Sequence, residues 1–346
     1  MIKTKGYAAQ KPKSNLAPWN FERRNIGPQD IQIAIAYCGV CHTDIHQINN
    51  DWGPGTFPMV PGHEIVGKVI NVGSDVKKFK TGDLAGVGVM VDSCRDCEDC
   101  ENGQEQFCMV SPVQTYNSKG KDGLPTYGGY SDNIIINEHF AHHISEKLNL
   151  AAVAPLLCAG ITTYSPLRRW KVGKGDKLAI VGLGGLGHMA VKFGVAFGAE
   201  VTVISTSPGK EADAKKLGAH KFLVSKDESK MKESQRSFDF ILDTAANDHD
   251  IHPYLNLLKT NGTYINVGMP VKPWDISSFS LVAGNKTITG SGAGGVTETQ
   301  EMLDFCAEHT IVSDIELINI KDIHTAFERM EKGDVRYRFV IDMATL

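Results

Sequence analysis

The chain has 346 residues, beyond the ~250–300 at which a single core usually divides, so two domains are expected. Its content, 42% hydrophobic and 22% charged, is that of an ordinary globular protein, and a net charge of −4 without a basic stripe argues against nucleic acid or anionic membrane as a main partner. No apolar run approaches the ~20 residues of a membrane span, and no apolar segment follows Met1-Ile2-Lys3-Thr4-Lys5, so neither an anchor nor an export signal is read.

Ile31 to Tyr37 alternates with period two and predicts a strand feeding the loop Cys38-Gly39-Val40-Cys41-His42. Pro61-Gly62-His63-Glu64 opens a second β stretch, Ile65 to Ile70, with turns at Val72-Gly73 and Thr81-Gly82-Asp83. Thr115 to Gly129 is rich in Gly, Lys and Ser and reads as an exposed excursion before Tyr130 re-enters a strand. The first part of the chain is therefore expected to be short strands between glycine turns, an irregular barrel.

The character changes near residue 150. Leu150 to Ile161 is apolar and helix-forming. Strands are then expected at Lys177–Val181, Glu200–Ile204, Phe238–Leu242, Gly262–Val267 and Thr287–Thr289, with helices at Leu186–Phe197 and Lys210–Leu217. Such alternation implies a doubly wound parallel sheet. A helix from Glu298 to Glu308 and a strand near Phe339-Val340-Ile341 are expected to return to the first domain. The boundaries read are 1–152 with 296–346, and 153–295.

Three constellations carry chemistry. Cys94, Cys97, Cys100 and Cys108 fall in a polar, acidic stretch with no regular periodicity. Four thiolates at this spacing close a tetrahedron round one Zn²⁺, with bonds of about 2.3 Å and no position left for substrate. Two disulfides are the alternative. Eight Cys in a chain read as cytoplasmic favour the structural metal.

The second is Gly182-Leu183-Gly184-Gly185-Leu186-Gly187, directly after a predicted strand and opening a predicted helix, the context a dinucleotide site requires. Gly182 makes the turn, Gly184 admits a pyrophosphate onto the helix N-terminus, and Gly187 packs helix on strand. An NAD site carries an acid at the end of the next strand. Here Ser205-Thr206-Ser207 stand there with Lys210 beyond, so NADP(H) is expected. Thr162 and Gly268 complete the expected cofactor set.

The third is dispersed: Cys41, His63 with Glu64, and Cys158. Two thiolates and an imidazole would leave one zinc position open for chemistry. Spacing leaves two outcomes open, convergence on a metal or separate burial in the core. Cys38 and Cys306 read as core, and His139, His142 and His143 as surface groups.

Cys38-Gly39-Val40-Cys41-His42-Thr43-Asp44-Ile45-His46, Pro61-Gly62-His63-Glu64, the four-Cys stretch, Thr126-Tyr127-Gly128-Gly129-Tyr130, Leu157-Cys158-Ala159-Gly160 and the glycine turn stand in one order over nearly the whole chain. Together they resemble the zinc-containing medium-chain alcohol dehydrogenases, most closely the cinnamyl-alcohol-dehydrogenase type of NADPH-dependent aldehyde reductase. The resemblance implies an α/β chain with an irregular β-rich GroES-like barrel as catalytic domain and a Rossmann domain. It implies two zinc ions per chain, NADP(H), an alcohol or aldehyde substrate and a homodimer. Cys41, His63 and Cys158 would hold the catalytic zinc, with Glu64 beside it. Thr43 would hydrogen-bond the substrate oxygen, and His46 would end a proton relay through the cofactor ribose. Asp44 would orient His63 and pair with Arg338. Trp52, Met90, Tyr116, Trp274 and Phe279 are the aromatic and apolar residues from which pocket walls could come. A polyol dehydrogenase of the same architecture, or a dinucleotide-sensing protein without activity, are the rivals.

Overall fold

The alternation at Ile31–Tyr37 belongs to a ten-residue strand, Asp30–Gly39, in which Ile31, Ile33 and Cys38 are fully buried. The structure is a computed structural model and describes residues 1–110, 112–270 and 272–346. One edge of Asp30–Gly39 pairs antiparallel with Ile65–Val72. Its other edge takes two strands in succession, Asn133–Asn137 beside Asp30–Ala34 and Arg338–Asp342 beside Tyr37–Gly39. Leu84–Val87, His142–His143 and Ile315–Asn319 complete a seven-stranded sheet. Its core holds Ile65, Ile134, Ile136 and Phe339, each almost wholly removed from water. Burial of each such side chain contributes about 1.5–3 kcal/mol. This sheet lies in a compact unit of residues 1–161 and 294–346.

Four features of this unit depart from the sequence reading. Ile2–Ala9 and Leu16–Arg23 form an antiparallel hairpin where no strand is predicted, because the buried face of Ile2–Ala9 carries Thr4 and Gly6 in place of large apolar residues. The Cys41-His42-Thr43 segment is not wholly loop: it starts a helix, His42–Asn49, capped by Cys41. Cysteine is outside the usual capping set, so that start carried no signal. His142 is buried rather than a surface group, and the supposed excursion buries Thr115 and Tyr116 at its start. Cys38 and Cys306 are core residues as read.

The second compact unit, residues 162–293, is a six-stranded parallel sheet. Its order is Lys221–Val224, Glu200–Ser205, Lys177–Val181, Phe238–Asp243, Leu258–Asn266, Thr287–Gly290. Strand order reverses direction between Lys177–Val181 and Phe238–Asp243, and the crevice beyond their carboxyl ends is where such sheets bind ligands. Lys221–Val224 was missed because its four residues are too few to show a period. The helix after the glycine turn runs Gly187–Ala196. No single helix among the described residues is long and apolar enough to cross a membrane.

Candidate active site

The four-Cys stretch folds round its own sulfurs. A one-turn helix, Glu98–Glu101, begins after Cys97 and turns Cys100 inward. The sulfurs of Cys94, Cys97, Cys100 and Cys108 all lie within 4.8 Å of one another. Cys94 and Cys100 are 3.8 Å apart, and Cys97 and Cys108 are 4.0 Å apart. Four sulfurs at zinc-bond length from one centre are about 3.8 Å apart, whereas a disulfide needs ~2.05 Å. All eight cysteines are free thiols. Backbone N–H groups of Cys97 and Cys94 point at Cys94 Sγ (3.3 Å) and Cys108 Sγ (3.4 Å), an arrangement that favours thiolate. Glu105 ties this lobe down. Its Oε2 accepts from Val296 N (3.0 Å), at the start of the helix Val296–His309, and its Oε1 meets His139 Nε2 at 3.2 Å.

A second donor cluster gathers Cys41, His63, Glu64 and Cys158, with one ligand atom of each inside 4.8 Å. Cys41 is brought there as the cap of His42–Asn49, His63 by the turn before Ile65–Val72, and Cys158 by the end of the 3₁₀ turn Ala154–Leu157. Cys41 Sγ lies 3.9 Å from Cys158 Sγ, and His63 Nε2 lies 3.2 Å from Cys158 Sγ. The two sulfurs again stand at about the edge length of a zinc tetrahedron. The Cys158 hydrogen bond, with Arg338 and His63 nearby, holds the Cys41 thiol well below its ordinary range. Burial pushes Glu64 up to about 7 against the pull of Arg338. Among the described residues Glu64 Oε2 has no hydrogen-bond partner, and it lies against Gly39, where any Cβ would collide with it. Both clusters therefore fit zinc by donor chemistry.

Asp44 organises the ligand turns. Its Oδ2 accepts from Cys41 N (2.9 Å) and the Tyr130 hydroxyl (3.0 Å), and its Oδ1 accepts from Gly62 N (3.1 Å). Oδ1 also stands 3.6 Å from His63 Nδ1. The expected pairing of Asp44 with Arg338 is not made: Arg338 Nη2 donates instead to Glu64, the buried acid next to the ligand His63. Thr43 Oγ1 lies 3.5 Å from Cys41 Sγ. His46 is partly exposed, with Nδ1 2.8 Å from Asp51 Oδ2 and its ring tilted on Trp52. Of the candidate pocket-wall residues, Tyr116 stacks on His63 with ring centres 5.9 Å apart and Met90 is buried. Trp52 is exposed, Trp274 packs edge-on to Tyr264, and Phe279 is exposed.

In the second unit the glycine turn leaves Val181 as expected. Gly182 has φ +88°, and a side chain at Gly187 would bring Cβ within 2.2 Å of the Gly182 carbonyl. Nothing stands within 4 Å of a Cβ at Gly184, so that face of the turn is open. Ser205 ends its strand and accepts from Ser207 N (3.2 Å), Thr206 and Ser207 are exposed, and Lys210 Nζ donates to the Leu183 carbonyl at 2.9 Å. Leu186 precedes the helix, Gly185 lies within the turn, and Thr162 lies in the helix Ala159–Arg169. Gly268 N donates to Asp243 O. Sequence reading missed Asp243. This fully buried acid ends the strand beside Val181 and accepts from the Tyr264 hydroxyl (2.6 Å) and Ala245 N (3.0 Å). Its only sequence signal was an acid at a strand end.

A dinucleotide-type parallel sheet, a closed four-thiolate site and an open Cys–His–Cys site define a zinc-dependent dehydrogenase. Residues 27–146 match the alcohol dehydrogenase GroES-like domain, and residues 185–308 match the zinc-binding dehydrogenase family. A probable mannitol dehydrogenase of Medicago sativa is 54% identical over 99% of this chain and 96% of its own length. A cinnamyl alcohol dehydrogenase of Sorghum bicolor superposes with TM-score 0.96 at 47% identity, covering 99% of this chain and 98% of that one. One from Helicobacter pylori, complexed with NADP(H), superposes with TM-score 0.94 at 43% identity, covering 99% of both chains. The chain belongs to the zinc-containing medium-chain alcohol dehydrogenases of the cinnamyl-alcohol-dehydrogenase type, and is an alcohol/aldehyde dehydrogenase.

Proposed function

We propose that the protein is an NADP(H)-dependent reductase of primary aldehydes, reversible as an alcohol dehydrogenase, with aromatic or medium-chain substrates. The observation that carries this is the convergence of Cys41, His63 and Cys158 within one coordination sphere, beside the orphaned Glu64 oxygen. When bound, zinc supplies Lewis-acid polarisation of the substrate oxygen and the nicotinamide supplies the hydride. Cys41, His63 and Cys158 hold the metal, and Glu64 offers a further oxygen to it. Thr43, in the first turn of the helix that Cys41 caps, holds a proton at the substrate oxygen. His46, with Asp51 on Nδ1, exchanges that proton with solvent. Such proton transfer contributes about 10²–10⁴-fold.

The cofactor preference is supported by hydroxyls and Lys210 at the end of the second strand, where no carboxylate would repel a 2′-phosphate. The NADP(H) complex of the Helicobacter pylori relative points the same way. Tyr116, stacked on His63, favours a planar substrate. Pairing of two chains along Thr287–Gly290, the edge of its sheet, gives the homodimer. Eight free thiols suit a reducing cytoplasm.

The test is consumption of NADPH with benzaldehyde, followed at 340 nm with and without a zinc chelator. Chelator-sensitive loss is expected, and absence of turnover overturns the reading. The Medicago sativa relative supports a second reading, a polyol dehydrogenase. Oxidation of mannitol faster than of benzyl alcohol would favour it.

A further inference from the structure

The Tyr127-Gly128-Gly129-Tyr130 stretch has no part in the chemistry above, yet it lies flat against the turn that carries His63. Gly128 N donates to Val60 O (2.8 Å), Gly129 N to Gly62 O (2.8 Å) and Tyr130 N to Pro61 O (3.0 Å). Only glycine permits this approach at 128, where a Cβ would stand 2.3 Å from the Pro61 carbonyl oxygen. Buried Arg23 fixes the far side, donating to the carbonyls of Tyr127 (2.8 Å) and Gly128 (3.0 Å) and to Ser131 Oγ (2.9 Å). The saddle so formed presents the fully buried Tyr130 hydroxyl to Asp44 Oδ2.

We propose that Tyr130 is a positioning residue for the zinc centre: its hydroxyl fixes the carboxylate of Asp44, which in turn orients His63. This rests on the reading that Cys41, His63 and Cys158 hold the reactive zinc. A carboxylate turns easily about its terminal bond, so donors rather than the torsion set its plane. Asp44 is 0% exposed, so bulk solvent does not reach its carboxylate. Tyr130 and Cys41 N hold Oδ2, which leaves Oδ1 facing Gly62 N and His63 Nδ1. Without the hydroxyl Oδ2 keeps only the Cys41 N–H of its two donors, and the imidazole loses a fixed partner. Removing the partner of a ligating imidazole typically costs about 10–100-fold in metal affinity.

The experiment begins with the zinc content of the wild-type protein. Zinc release to a chromophoric chelator is then compared in wild type and Tyr130→Phe, together with the visible spectrum after cobalt replaces the exchangeable zinc. The faster-leaving zinc should depart at least about tenfold faster in the variant, and the cobalt bands should shift, while the slower zinc is unaffected. An unchanged release rate with unshifted bands overturns the proposal. In an Asp44→Asn background the Tyr130→Phe change should add nothing further, and an additive effect overturns the route through Asp44. Should Tyr130→Phe not fold, 3-fluorotyrosine placed at 130 keeps the ring and alters only the donor. It should shift the cobalt bands at full metal content, and unshifted bands overturn the proposal. Wild-type protein holding a single zinc would instead overturn the reading of the centre itself.

Discussion

Arg338 and Glu64, 274 positions apart in the chain, form an ion pair in which both side chains are buried. Removing one member of such a pair leaves the other charge without water or partner, at a cost of about 3–5 kcal/mol. Arg338→Ala is therefore expected to lower stability by that amount, read as a reduced midpoint in denaturant at fixed zinc. Lysine, with no planar fork, should restore only part of it. A midpoint equal to wild type in Arg338→Ala would show that the pair contributes nothing.

The two clusters predict separable losses of metal. Cys158→Ala should stay folded, retain one zinc of two and lose roughly 10³-fold or more in turnover, because several kcal/mol of barrier lowering go with the metal. Cys100→Ala should also lose one zinc, but its main effect should be a lower melting temperature. Metal analysis beside calorimetry distinguishes them. A Cys158→Ala protein that keeps both zinc ions and full activity contradicts the assignment.

Lys210 reaches back to the Leu183 carbonyl in the glycine turn. Its ammonium is thus held beside the turn rather than trailing in solvent. A hydrogen bond to a charged group contributes about 1.5–3 kcal/mol. Lys210→Ala should raise KM for NADPH about tenfold or more and change KM for NADH far less. Wild-type preference for NADH would remove the basis of this expectation.

His142 gives the acid limb of stability a definite sign. Burial, aided by Lys78, pulls its pKa down from 6.5 to about 3. Between those values the unfolded chain binds a proton that the folded chain refuses. The contribution of neutral His142 is complete above pH 6.5 and is lost as pH falls toward 3. The slope reaches about 1.4 kcal/mol per pH unit. His142→Phe should flatten the fall of unfolding free energy between pH 6.5 and 4.5. Parallel curves for variant and wild type would exclude this source.

Local signals made much of the fold legible. The alternation of Ile31 to Tyr37, the glycine turn after Lys177–Val181 and the spacing of Cys94 to Cys108 each act over a few residues. What escaped depends on partners distant in sequence. Tyr130 meets Asp44 across 86 positions, and nothing in Tyr127-Gly128-Gly129-Tyr130 names its acceptor. The exchange of Asp44 for Glu64 as the partner of Arg338 has the same origin. Arg338 opens a strand that pairs beside Gly39, and the acid it meets comes from a segment 274 positions away. Tyr264 and Asp243 were hidden for a different reason: both look like ordinary strand residues until the neighbouring strands align them.

The late arrival of strand Arg338–Asp342 has a consequence for biosynthesis. A growing polypeptide displays Cys41, His63 and Cys158 long before the guanidinium that neutralises Glu64 has been translated. Until then an unopposed acid sits among the donors, and the edge of Asp30–Gly39 next to Cys41 lacks its neighbour. The ion pair that neutralises Glu64 is thus the last part of this centre to be synthesised, whereas the four-thiolate lobe draws all its donors from fifteen consecutive residues.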